Sequence, residues 1–295
     1  MTYQRTARVT LAVFLCFLGP LASRADDEIV CVSYNLNNYF LTDRPKPADS
    51  VAAVVDALVA LEPDILSVSE LGGKDALIDL QARLSGKGLH LENAEHIPAA
   101  DGKGRDLGLL TRYPILETNS QTALSYRIGN DRFLIQRGIL DVTLDLPDDY
   151  QLRCLGLHLK SKQPVPEGDQ NLMRLNEARL VRKYIDDILQ TAPETNLLVT
   201  GDLNALRNQP AVRTIQGPYG EDTYLKAIRL KDTDGQTWTH FWDDADAYSR
   251  FDFALASKAL RREVDPDKSR IHHWADWEKA SDHRPLVILL EGADE

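Results

Sequence analysis

Asp202 and Asn204 stand two residues apart at the end of the apolar run Asn196-Leu197-Leu198-Val199-Thr200-Gly201-Asp202-Leu203-Asn204. In a strand, alternate side chains share a face, so a carboxylate and a carboxamide here point the same way. Such a pair can hold a proton or a cation and donate a hydrogen bond to developing negative charge, which is what hydrolysis requires. An Asp-x-Asn after a strand also makes an ordinary turn or helix cap, so the pair gains meaning only from partners. Several are available. Asn35, Glu70, His158 and Asp252 each end or interrupt a β-prone run, and Asp282-His283 precedes the last apolar run. Asp252 lies between Phe251 and Phe253; a buried carboxylate needs a partner, and His283 can be one.

The elements that must hold these residues read as recurring strand–helix–strand units. Residues 29–36 are β-prone, and Pro47-Ala48-Asp49-Ser50 then opens a capped helix with Val51, Val54, Val55, Leu58 and Val59 on one face. Residues 65–70 form the next strand and end at Glu70, at the carboxyl end where open α/β sheets bind ligands. A helix over 76–84, a strand over 89–96, a loop over 99–105 and a strand over 107–112 follow. Residues 137–145 and 152–160 predict an antiparallel hairpin. The helix predicted over 172–189 leads into the strand that ends at Asp202. A short helix at 210–215, a polar region, one strand over 248–256 and a closing strand over 286–290 complete the chain. Two such units predict an α/β fold with a two-layered sheet core flanked by helices, one domain over residues 26–295.

Residues 1–25 read as a secretory signal peptide. Arg5 and Arg8 precede the short apolar stretch from Leu11 to Leu18, and Ser23-Arg24-Ala25 supplies small residues at the cleavage positions. The expected product is secreted or periplasmic and keeps no membrane anchor. Cleavage removes three arginines and no acids, taking the formal net charge from −11 to −14. Net charge then gives no attraction to polyanions, so an anionic substrate must be drawn by local cations or a bound metal. Cys31 and Cys154 lie in strand-like runs, and no Cys/His spacing suits structural zinc.

The order Tyr34-Asn35, Val68-Ser69-Glu70, His158-Leu159-Lys160-Ser161, Gly201-Asp202-Leu203-Asn204, Arg250-Phe251-Asp252 and Ser281-Asp282-His283 resembles the endonuclease/exonuclease/phosphatase superfamily. The similarity spans nearly the whole chain after residue 25. It implies a four-layer αββα sandwich, two packed mixed β-sheets flanked by helices. It also implies a Mg²⁺ or Mn²⁺ site with Glu70 as main ligand, Asp282 on or near the ion and Asn35 orienting the group. Hard carboxylate oxygens are what such ions prefer. Asp202 would position or deprotonate the attacking water, and Asn204 would donate to a non-bridging oxygen. His283, oriented by Asp252, would sit at the phosphate, with His158 as a second histidine and general acid. Arg112 and Lys160 would bind substrate. His90, His96, His240, His272 and His273 read as surface or packing residues.

The resemblance implies a phosphodiesterase with a phosphodiester substrate, nucleic acid first, acting as a monomer. Ser249-Arg250-Phe251-Asp252 replaces the Trp-Cys-Asp-Arg run of inositol-phosphate phosphatases, and Ser33-Tyr34-Asn35-Leu36-Asn37-Asn38 lacks the Trp and Gly of abasic-site nucleases. No exposed aromatic hairpin of the sphingomyelinase kind is evident. A nuclease is the first expectation. A lipid or small-molecule phosphohydrolase is the alternative, followed by a non-catalytic binding protein.

Overall fold

Along the first strand, alternate residues enter different cores. Ile29 and Cys31 join one apolar cluster, whereas Val30, Val32 and Tyr34 join another. A strand buried on both faces in this way needs a layer on each side. In the computed structural model, which describes residues 28–292, those layers are a second sheet and a pair of helices.

In chain order the elements are β1 (Glu28–Tyr39), α1 (Ala48–Leu61), β2 (Ile65–Leu71), α2 (Lys74–Ser85), β3 (Asn93–Ile97), β4 (Asp106–Thr111), β5 (Ile115–Thr118), β6 (Ser125–Ile128) and β7 (Asp131–Leu134). They continue as β8 (Leu140–Asp145), β9 (Gln151–His158), α3 (Gln170–Thr191), β10 (Leu197–Asp202), α4 (Pro210–Gln216), β11 (Lys226–Ala227) and β12 (His240–Trp242). Last come β13 (Ala247–Ser249), β14 (Asp252–Ala256), β15 (Arg270–Ile271), α5 (Trp277–Ala280) and β16 (Leu286–Glu291). One six-stranded sheet has the order β15-β16-β1-β2-β4-β3 and the other β11-β14-β10-β9-β8-β5. Both are mixed. β1 and β2 are parallel, as are β9 and β10, and the remaining ladders are antiparallel.

The inner faces of the two sheets share a core that includes Leu107, Leu109, Leu140, Val142, Leu198, Leu286 and both Cys31 and Cys154. Burial pushes the Cys154 thiol up to about 12, so it packs as a small apolar group. The outer face of the first sheet is covered by α1 and α2 through Val54, Leu58, Leu77 and Leu80. α3 and α4 cover the second through Val181, Ile185, Val212 and Ile215. The expected αββα sandwich is therefore the observed one.

Several boundaries differ from expectation. The strand expected over 248–256 breaks at Arg250-Phe251, where Thr239 Oγ1 accepts from the backbone N–H of Phe251 and Asp252. β8 starts at Leu140 rather than 137, and β3 at Asn93 rather than 89. α1 carries no side-chain cap at its amino end. The signal-peptide reading concerns residues outside those described. Among the described residues, no helix is long and apolar enough to cross a membrane.

Candidate active site

Strand parity places the polar residues before any side chain is considered. Asp202 shares a face with Leu198 and Thr200, His158 with Cys154, and Asp252 with Ala254 and Ala256, so all three belong to the inner face of their sheet. They also form one row, because Asp202 pairs with His158 on β9 and with Asp252 on β14. Asn35, in phase with Ile29 and Cys31, faces them from β1. The site is thus the polar end of the seam between the sheets, and both sheets supply it.

Two backbone devices shape this end. Glu70 has φ 64° at a register shift in β2, an irregularity that re-aims a side chain at a strand's end. Its Oε2 accepts from the Asn38 backbone N–H at 3.0 Å. Gly201 has φ 138°, and a Cβ there would collide with the Leu157 carbonyl oxygen. Only glycine lets β10 lie this close to β9 one residue before Asp202.

The side chains converge around a cavity lined by Glu70, His158, Asp202, Asn204, Asp282 and His283. Asn35 Nδ2 donates to Asp202 Oδ2 at 3.2 Å and to Glu70 Oε1 at 3.4 Å. His283 Nδ1 lies 2.8 Å from Asp252 Oδ2, and its Nε2 lies 3.8 Å from Asp202 Oδ2. His158 Nε2 is 3.6 Å from Asp202 and 3.8 Å from Glu70. The Asn204 backbone N–H donates to Asp202 Oδ1 at 2.8 Å, and its Nδ2 donates to Oδ2 at 3.2 Å. Arg284, next to His283, anchors the carboxyl-terminal motif by pairing with Asp232 at 2.6 Å and lying 3.3 Å from the Trp238 ring centroid.

Burial and neighbours divide the protons unequally. Burial raises the Asp202 carboxyl to about 7; His283 and the Asn204 N–H pull it down, but not far enough to cancel that. Burial also disfavours charge on His283, yet Asp252, Asp202 and Asp282 outweigh it and raise the imidazole to about 10. His158 goes the other way: burial and then the positive charge of Arg137, His283, Arg105 and Lys160 hold it well below the usual histidine range. His283 is therefore the charged imidazole and His158 the neutral one.

Three sequence-based assignments change. Arg112 follows β4, whose Thr111 end lies beside Ile65 at the start of β2, while Glu70 is at the other end of that strand. Arg112 pairs with Asp64 at 2.9 Å and takes no part in the site. Lys160 does not line the cavity, because its Nζ turns back to Ser161 Oγ and the Gln163 carbonyl, both at 3.5 Å. Arg105, Arg137 and Lys162 are the cations that do. Asn35 presents its amide nitrogen to Asp202 and Glu70 while its oxygen accepts from the Asn37 N–H at 3.0 Å, an arrangement that orients the two carboxylates. His158, held well below the usual histidine range, is poorly suited to carry the proton of a general acid.

His240 was read as a packing residue and is instead part of the cavity wall. It bridges in antiparallel fashion to His283, with ring centroids 4.6 Å apart. The signal in the sequence was His240-Phe241-Trp242 and Ala247-Tyr248-Ser249 flanking Asp243-Asp244-Ala245-Asp246, a short hairpin hidden within the polar region. Trp242, 57% exposed, stands on that hairpin at the cavity's edge. Exposed Tyr248 is on it too, so an aromatic hairpin is present after all.

Glu70, Asp202 and Asp282 border one cavity, and a divalent cation is the counter-charge that such a set of hard oxygen donors fits. Glu70 and Asp282, whose side chain is 41% exposed, are the cavity-lining carboxylates that would hold it.

A family model described as the Endonuclease/Exonuclease/phosphatase family matches residues 32–283, which span the site from Asn35 to His283. The chain belongs to this family. Its members are metal-dependent phosphoester hydrolases, and so is this enzyme. The fold is similar to that of the human Nocturnin catalytic domain with bound sulfate (17% identity, TM-score 0.66, covering 89% of this chain and 94% of that one). It is also similar to D. rerio TDP2 complexed with a single-strand DNA product (18%, 0.63, 90% and 99%). A third similar structure is an endonuclease/exonuclease/phosphatase from Bacteroides vulgatus (19%, 0.64, 90% and 99%). No curated protein matches the family member by sequence.

Proposed function

We propose that this family member is an exported phosphodiesterase that uses Mg²⁺ or Mn²⁺ and acts on nucleic acid. The observation that carries the diester reading is the linked set Asp252–His283–Asp202–Asn35 beneath walls bearing Arg105, Arg137 and Lys162. One in-line displacement at a phosphodiester needs a group to take a proton from water, donors for the phosphoryl oxygens, and cations against the substrate's charge.

Asp202, near neutrality in its proton affinity, is suited to orient water and accept its proton. His283 keeps its charge and offers Nε2–H to a phosphoryl oxygen, while Asp252 fixes Nδ1–H and the ring plane. His158 and Asn204 add neutral donors. Asn35 holds Asp202 and Glu70 in place from the opposite sheet. The metal, held by Glu70 and Asp282, would neutralise charge on the phosphoryl and leaving oxygens.

Nucleic acid is favoured by exposed Trp242 at the cavity mouth, since a base can stack on an indole. The single-strand DNA product in the similar D. rerio TDP2 structure supports the same choice. Export rests on the charge and apolar pattern of residues 5–25. A second reading has its own observation. Asp243, Asp244 and Asp246 sit at the turn beside Trp242, and Asp244 lines the cavity, which disfavours a long polyanion and favours a small or lipid-borne diester.

Hydrolysis of plasmid DNA, single-stranded DNA, RNA, sphingomyelin and a bis-aryl phosphate, each with Mg²⁺, with Mn²⁺ and with EDTA, tests these readings together. Turnover of the nucleic acids supports the first. Turnover of sphingomyelin or the aryl diester alone supports the second, and turnover of none in any metal rejects both.

A further inference from the structure

The site described above uses His283 and Asp282 but leaves His240 without a task. His240 is partly buried, and its Nε2 lies 3.7 Å from Asp282 Oδ2. On the other side of the same carboxylate, Oδ1 lies 4.0 Å from His283 Nε2. One carboxylate thus stands between two imidazoles, and ligand atoms of all three residues lie within 4.8 Å of one another. Tetrahedral zinc with bonds near 2.0–2.1 Å needs ligand atoms about 3.3 Å apart. His240 and Asp282 are only partly buried whereas His283 is buried, so the closure, up to about 1.5 Å, falls to the His240 ring and the Asp282 carboxylate.

Two features distinguish this set from the hard-oxygen site at Glu70. Two imidazoles and one carboxylate suit zinc and its first-row neighbours better than Mg²⁺. His283 also has its other ring nitrogen held by Asp252 at 2.8 Å, the carboxylate–histidine arrangement that orients a metal-binding imidazole. The Nδ1 of His240 has no hydrogen-bond partner, so no contact pins its tautomer against presenting Nε2.

We propose that His240, Asp282 and His283 form a transition-metal site that shares Asp282 with the Mg²⁺/Mn²⁺ site at Glu70 and takes Zn²⁺. Bound there, zinc displaces the Nε2 proton of His283 to solvent and occupies that nitrogen and Asp282, so the enzyme's own working groups become unavailable. The binding claim rests on three side chains and does not require the proposed hydrolysis.

Zinc chloride titrated calorimetrically into purified Glu70→Gln protein, stripped with EDTA and exchanged into chelator-free buffer, tests it with the Glu70 site disabled. The expected result is one zinc per chain. Adding His240→Ala should weaken that binding at least ~100-fold, since a direct ligand is worth no less than an outer-shell partner. His240→Gln, which keeps bulk against Phe251, should weaken it similarly, and unchanged melting in EDTA shows that either protein is folded. No zinc bound by Glu70→Gln, or equal affinity with and without His240, overturns the proposal. Neither outcome bears on turnover of a diester.

Discussion

Asn35 Nδ2 lies 3.2 Å from Asp202 Oδ2, and this bond joins the two sheets at the one end where their shared core turns polar. Each residue ends the inward-facing row of its own strand. Neither sheet alone contains the site.

Replacing Asn35 with Ala removes the donor that holds Asp202 and Glu70. Turnover should fall by ~10²-fold or more, the scale of a lost positioning or oxyanion-type donor, with KM changed little. Steady-state kinetics with thermal melting as a control decides it. An unchanged kcat would remove Asn35 from the machinery.

Asp202→Asn should make the metal-free protein more stable and the enzyme inactive. A folded-state pKa raised from 3.8 to about 7 means that the native state binds this proton more tightly than the unfolded chain. Its contribution therefore declines as pH rises from about 4 to about 7. Asparagine removes that loss. Urea unfolding in EDTA at pH 5 and pH 8 should show a smaller difference in the variant than in the wild type.

His283 has the same sign over a higher window. Its folded pKa of about 10 exceeds the unfolded 6.5, so its stabilisation is complete below pH 6.5 and lost as pH rises through 10. Asp252→Asn, which removes the main attractive charge, should flatten the fall in melting temperature between pH 7 and pH 10. A fall as steep as that of wild type would contradict the assignment of the charged imidazole.

Gly201→Ala should destabilise the fold by at least ~2 kcal/mol, because it combines a strained φ with a backbone collision. The collision forces β9 from β10, so activity should fall with stability. Denaturant midpoints at a constant m-value measure the effect.

Trp242→Ala should raise KM for nucleic acid by ~10-fold or more and leave kcat nearly unchanged, since a stacked base is worth about 1–3 kcal/mol. The same substitution should not alter the hydrolysis of a small alkyl diester. Equal effects on both substrates would mean that the indole supports the wall and does not contact a base.

Much of this was legible in the sequence because the site residues end long apolar strands, and parity within a strand is set locally. Asn35, Glu70, His158 and Asp202 lie at or near the carboxyl ends of β1, β2, β9 and β10, as that reading has it, whereas Asp252 opens β14 instead of interrupting a longer strand. Arg112 lies away from the site, because strand direction is not written in a single run: β4 is antiparallel to β2, which carries its far end away from Glu70. Lys160 and Lys162 could not be separated, since loop residues lack the alternation that assigns a face. His240 was missed because β12 has only three residues and draws its position from a bridge to a residue forty-three places later. The contrast between the two histidines depends on burial and on Arg105, Arg137, Lys160, Asp202, Asp252 and Asp282, which are scattered along the chain and form no local pattern.

β1 pairs with β16, the last strand in chain order, and the Ser281-Asp282-His283 motif is fixed only as that strand enters the sheet. During synthesis, β1 and most of the site wait for the final segment to appear. A chain that stops before Ser281 has Asp202 and Asp252 but no His283 to join them, so the site is assembled only once β16 has been made.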